Sequence, residues 1–141
     1  MMSNLANELC YCLAARRSAR YLSRLYDRHL AQANISVSQF SVLVSLSDYP
    51  NSTLADLAKL MVMERTTLVR ALKPLQNSGY IDSRAEGKRG ALRLALSASG
   101  AAKVAECLPY WQAAQEEYEA LVGARTAVSI RESLLASVEQ G

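Results

Sequence analysis

The sequence predicts a mainly α-helical fold with one small β-hairpin, and three observations carry that expectation. Half of the residues are apolar, yet only six Gly and three Pro punctuate 141 residues, too few for a many-turned β-sandwich or barrel. Apolar residues recur at three- and four-residue steps over most of the chain, the period of an amphipathic helix. Only at Leu92-Arg-Leu-Ala-Leu96 does the period drop to two, as in a half-buried strand. The length suits a single domain with its own core.

Residues 5–31 read as one long helix, with Leu5, Leu9, Cys12, Ala19, Leu22, Tyr26 and Leu30 inward and Arg16, Arg17, Arg20, Arg24 and Arg28 on other faces. Asn34 breaks the pattern, and Ser36 or Ser38 starts a second helix through Phe40, Val44 and Leu46. Asp48-Tyr-Pro-Asn51 is a turn. Thr53 caps a short third helix, with Leu54, Leu57, Ala58 and Met61 on its apolar side. After a break at Val62-Met63 a fourth helix buries Leu68, Leu72 and Leu75, carries Pro74, and ends near Gly79. Tyr80 to Arg84 and Leu92 to Leu96 are the two strands, and Ala85-Glu-Gly-Lys-Arg-Gly-Ala91 is a flexible tip with its charges outward. From Ser97 a long helix resumes, its seam being Val104, Cys107, Trp111, Ala114, Tyr118 and Leu121. Pro109 predicts a kink, Gly123 an end, and Val128, Leu134, Leu135 and Val138 a short terminal helix.

Charge is unevenly spread. The net charge is +2 over residues 1–52, +4 over 53–100 and −3 over 101–141. A basic middle suits a polyanionic partner, and a solvated surface explains it as well. No apolar run reaches the roughly 18 residues of a membrane span, and residues 1–9 lack a basic head followed by an apolar block. Three cysteines, without a matching metal pair for Cys10 and Cys12, predict a reduced cytoplasmic protein with no metal and no cofactor. One His, no glycine-rich phosphate loop and no zinc ligand set argue against an enzyme.

A short helix joined by a few residues to a second is a helix-turn-helix, whose second member enters the major groove of double-stranded DNA. The basic-tipped hairpin after it reads as a wing. At the start of the second helix stand Glu64, Arg65, Thr66, Thr67 and Arg70, with Lys73 one turn on. Arg grips guanine, and Thr meets a thymine methyl or a phosphate oxygen. The alternative leaves these cations solvated, or pairs Arg70 or Lys73 with Glu64 or Asp56.

Leu54-Ala-Asp-Leu-Ala58, Met63-Glu-Arg-Thr-Thr-Leu-Val-Arg70 and Leu75-Gln-Asn-Ser-Gly-Tyr-Ile81 together resemble the MarR family of winged helix-turn-helix transcriptional regulators. Lys88-Arg-Gly90 and Leu96-Ser-Ala-Ser-Gly100 resemble its wing and the start of its next helix. The resemblance runs from Leu9 to about Tyr118. It implies a homodimer that represses from a pseudo-palindromic operator. Residues 36–100 would be the DNA-binding lobe, and 1–35 with 101–141 the helical dimerisation region, within one domain spanning 1–141. By position, Arg65, Thr66, Thr67 and Arg70 would face the major groove, Arg89 the minor groove and Lys88 phosphate. Where family wings carry an Asp before the basic pair, this chain has Gly87, with Glu86 beside it.

The resemblance also implies a small-molecule effector, phenolic or otherwise aromatic. Tyr11, Arg16, Tyr26, His29 and Phe40 are the candidate pocket lining, aromatic bodies with polar handles. Trp111 and Tyr118 read instead as dimer core. A second reading follows from Leu9-Cys-Tyr-Cys-Leu13 with Tyr26, which resembles the organic-hydroperoxide-sensing (OhrR) branch. There Cys12 would be the reactive thiol, with Tyr26 lowering its pKa and Cys107 a candidate resolving thiol, although Val37 replaces a second tyrosine of that branch. A helical protein-interaction module that does not bind DNA is the third reading, and it leaves Arg65, Arg70 and Arg89 without a purpose.

Overall fold

The computed structural model describes residues 2–85 and 90–139. The N-terminal segment is two helices rather than one, α1 (Met2–Leu9) and α2 (Tyr11–Leu30). The interruption is Cys10, whose backbone is extended and whose Sγ accepts the Leu13 N–H at 3.3 Å, so that it caps α2. A single 3-10 turn (Ala31–Ala33) follows, closed by Asn34 in the left-handed conformation that Asn tolerates. Ser36, not Ser38, starts α3 (Val37–Asp48). Its hydroxyl accepts the Gln39 N–H and the Gln39 side chain accepts the Ser36 N–H, a complete capping box.

After the turn at Asn51, Ser52–Thr53 form a two-residue strand, β1, that the sequence reading lacks. Thr53 then caps α4 (Leu54–Met61) by accepting the Asp56 N–H at 3.0 Å. Helix α5 (Arg65–Asn77) follows the break at Val62, and runs three residues past Pro74. Strands β2 (Ile81–Ala85) and β3 (Leu92–Leu96) pair antiparallel, Ile81 opposite Leu96 and Ala85 opposite Leu92. The sheet order is β1-β3-β2, so β1 turns the hairpin into a three-stranded sheet. Glu86, Gly87, Lys88 and Arg89 of the hairpin tip lie outside the described residues.

The long helix α6 (Ala98–Val122) continues through Pro109, and Gly123, at φ 91°, separates it from α7 (Ala124–Glu139). At 16 residues α7 is longer than the short terminal helix expected. The core lies in the middle of the chain. Leu30, Leu43, Leu46, Leu57 and Leu68 are fully buried there, with Phe40, Leu72, Leu75, Ile81, Leu94 and Cys107 around them. Trp111 packs against this core from α6, within the chain, while Tyr118 lies further along the helix. By contrast, residues 6–9 of α1, the first half of α2, and α7 bury little.

Candidate nucleic-acid interface

Leu57 and Ala58 of α4 and Leu68, Leu72 and Leu75 of α5 face the common core, which fixes how the two helices cross. The turn between them is tight because Val62 takes φ 54° and ψ 47°, its N–H donating to the carbonyls of Ala58 and Lys59. Burying one side of α5 turns the other outward. Arg65, Val69 and Lys73 form one row at four-residue spacing, and Thr66 and Arg70 form the row beside it. Thr67, one position off this double row, is exposed too. Among the described residues, Arg65, Thr66, Thr67, Arg70 and Lys73 have no hydrogen-bond or ion-pair partner, Glu64 and Asp56 included. Five exposed polar side chains, three of them cationic, thus stand ready for an external anion or base edge.

The exit of α5 is fastened to the start of α6. Ser97 N–H donates to the Tyr80 carbonyl at 3.0 Å, and the hydroxyls of Ser97 and Ser99 both donate to the Gly79 carbonyl. Gly79, at φ 79°, allows that turn. Lys103 reaches back from α6. Its Nζ donates to the Ala33 carbonyl, pairs with Glu106 at 3.0 Å, and stands 6.0 Å from the Tyr80 ring centre. The hydrogen bond that Lys103 donates to Glu106 holds the Lys103 pKa above its ordinary value.

Further along, α6 grips α2. Arg28 donates two hydrogen bonds of 2.9 Å to Glu117, and His29 Nε2 lies 3.1 Å from the same carboxylate. Tyr26 Oη donates to Gln115 Oε1. Burial, then the Glu119 carboxylate, push the Tyr26 phenol above its usual pKa. Beside this pair a cavity of about 330 Å³ opens between α2, α6 and α7, its lining including Leu22, Tyr26, Val37, Tyr118, Glu119 and Arg131.

The pattern of the MarR family matches residues 35–86, which span α3 to β2. A transcriptional regulator from M. tuberculosis, MosR, shares 34% identity over 92% of this chain and 96% of its own, with a TM-score of 0.74. The chain belongs to the MarR family. MosR in complex with DNA superposes with a TM-score of 0.77, again at 34% identity, over 91% of this chain and 96% of that one. A variant MarR from E. coli complexed with operator DNA shares the fold, with a TM-score of 0.82 at 21% identity over 95% of this chain and 96% of its own. No curated protein sequence matches the chain.

Within this MarR fold the structure separates the residues singled out in the sequence. Of Tyr11, Arg16, Tyr26, His29 and Phe40, only Tyr26 lines the cavity. Tyr11 is 93% exposed at the start of α2, Arg16 is exposed, His29 is engaged with Glu117, and Phe40 is core. Cys10 and Cys12 are exposed, whereas Cys107 is buried and burial pushes its thiol pKa up. Tyr26 gives its proton to Gln115 rather than to a cysteine. Sequence reasoning missed Gln115, Glu119 and Arg131. Gln115 stands 89 residues from Tyr26, and no local pattern reports so distant a partner. The three- and four-residue steps through Ala127, Ile130, Arg131 and Leu134 did carry a signal for the α7 wall. Among the described residues no helix is long and apolar enough to cross a membrane, and no group of three His, Cys, Asp or Glu could hold a metal ion.

Proposed function

We propose that this MarR-family regulator binds double-stranded DNA as a homodimer, with α5 in the major groove of each half of a pseudo-palindromic operator, and represses until an aromatic ligand releases it. The outward double row on α5 carries the reading, since Arg65, Thr66, Arg70 and Lys73 are exposed and unpartnered among the described residues on the second helix of a helix-turn-helix. The DNA complexes of MosR and of the E. coli MarR variant support it. Lys88 and Arg89, by position, serve the flanking phosphate and minor groove. Residues 36–100 act as the DNA lobe, and 1–35 with 101–141 as the dimerisation region.

Surface area supports the dimer. The chain exposes 9889 Å², against roughly 7,200 Å² for a compact monomer of its mass. Apolar side chains stand open at the ends of α6 and α7, where Leu121, Leu134, Leu135 and Val138 are each about half exposed. The ligand site is assigned to the cavity between α2, α6 and α7. Its walls are mostly apolar, Arg131 can meet a carboxylate, and Tyr26 and Gln115 can hydrogen-bond a phenol. A ligand there presses on the half of α6 beyond the DNA lobe, and the Ser97 and Ser99 contacts to Gly79 carry a tilt of α6 to the end of α5.

The test is random-sequence selection with the purified protein, followed by titration of the recovered duplex at two salt concentrations and by sedimentation. Twice the 15.4 kDa chain mass, a palindromic consensus, and affinity that falls steeply with salt are expected. Addition of 2-hydroxybenzoic acid should weaken binding, and Arg131→Ala should blunt that response. Salt-insensitive or unselective binding overturns the DNA reading, and an unaltered response in Arg131→Ala overturns the ligand site.

A further inference from the structure

One side chain on the outward face of α5 cannot be explained by charge, hydrogen bonding or packing. Val69 is 49% exposed, beside the fully buried Leu68. Arg65 and Thr66 lie one turn before it, Arg70 beside it and Lys73 one turn after it. A β-branched residue is a poorer helix former than Ala, Lys or Gln, so propensity does not favour it in the middle of α5. It takes no part in the core cluster that the other face of α5 completes. Single exposed apolar residues are common on protein surfaces, but this one is ringed by the groups assigned to the groove.

We infer that Val69 is a specificity-determining residue that reads the C5 methyl group of one thymine in each half-site. This rests on the reading of α5 as the groove-entering helix. An isopropyl group has no atom with which to hold phosphate or to pair with a base-edge donor or acceptor. Placed against guanine O6 and N7 or the cytosine amine, it would strip their water and return nothing. The one apolar group that base pairs present in the major groove is the thymine methyl. Arg65, Arg70 and Lys73 fix the height of α5 in the groove, and Val69 then selects among the bases that lie opposite it.

The test uses the full-length protein and the duplex recovered by selection, with each thymine in turn replaced by deoxyuridine, which removes the methyl and leaves pairing intact. In the native protein, one position per half-site should lose about fourfold in affinity, the worth of one buried methyl group. Val69→Ala should bind the thymine and uracil duplexes equally at that position and keep native responses at all others. Ala is the better helix former, so the variant should fold, and its melting curve checks this. If no thymine discriminates, or if the same discrimination survives in Val69→Ala, the inference fails while the DNA reading stands. Absence of any selective duplex overturns both.

Discussion

The guanidinium of Arg28 on α2 holds the carboxylate of Glu117 on α6 by two parallel hydrogen bonds of 2.9 Å, and His29 adds a third contact to the same group. This is the charged fastening between two helices that otherwise meet through apolar side chains and the Tyr26–Gln115 hydrogen bond. Its bidentate geometry gives it an orienting role that an ordinary surface pair lacks.

The fastening is pH-dependent in a defined direction. Hydrogen bonds from Arg28 and then His29 hold the Glu117 pKa at about 2, against an ordinary 4.5. A carboxylate whose pKa is depressed by folding contributes stability that is fully present above its unfolded pKa and lost as pH falls through the folded one. Glu117→Gln should therefore melt at a lower temperature than the native protein at pH 7. The gap between the two should close between about pH 4.5 and pH 2. Thermal melts across that range at low ionic strength measure it, and a gap independent of pH would assign the effect to lost shape rather than lost charge.

Gly100 supports a second prediction, with the opposite sign from the usual rule. Inside a helix, Gly→Ala ordinarily gains up to about 1 kcal/mol. At Gly100 a Cβ would lie 2.0 Å from the Tyr80 carbonyl oxygen and 2.9 Å from its carbon, both backbone atoms. Gly100→Ala must push α6 away from the turn after α5, and should cost about 3 kcal/mol or more in urea unfolding. A neutral result would mean that the Ser97 and Ser99 contacts to Gly79 do not hold the two elements together.

Elements with a strong local signature were legible in the sequence. Thr53, Ser97 and Gly123 mark helix ends by their own chemistry, and alternation at Leu92–Leu96 marks β3. Strand β1 was not legible, because two residues cannot display a period and Ser52 and Thr53 pair with Leu94 and Arg93 some forty positions on. Nor was the break at Cys10, since a thiol that accepts a backbone N–H is an uncommon cap. The outward face of α5 followed from periodicity, since Leu68, Leu72 and Leu75 define the buried side and the rest must face out. The cavity did not, because its walls come from α2, α6 and α7, and it exists only once those helices have packed.

The turn before α5 stores strain. Val62 is β-branched, 70% exposed and left-handed at φ 54°, a conformation that costs an L-residue about 1–2 kcal/mol. Asn tolerates it better, because its short polar side chain can bond locally. Val62→Asn should raise unfolding stability by about 0.5–1.5 kcal/mol. A loss instead would show that the valine side chain makes a stabilising contact, which its exposure argues against.

Arg70 and Lys73 lie three residues apart on the outward face of α5, and their chemistry assigns them different work. A guanidinium presents a rigid fork that matches guanine O6 and N7, whereas an ammonium is a point charge suited to phosphate. Arg70→Ala should cost about 1–3 kcal/mol on the selected operator and much less on random duplex, so that selectivity collapses. Lys73→Ala should weaken both duplexes alike, and should lower the slope of log affinity against log salt by about 1 for each lysine removed, hence about 2 for a dimer. Titrations of the two variants on both duplexes at several salt concentrations separate these effects. If Lys73→Ala instead abolishes selectivity while the salt slope holds, the ammonium reads a base edge, and α5 sits further into the groove along its C-terminal half than its first turn implies.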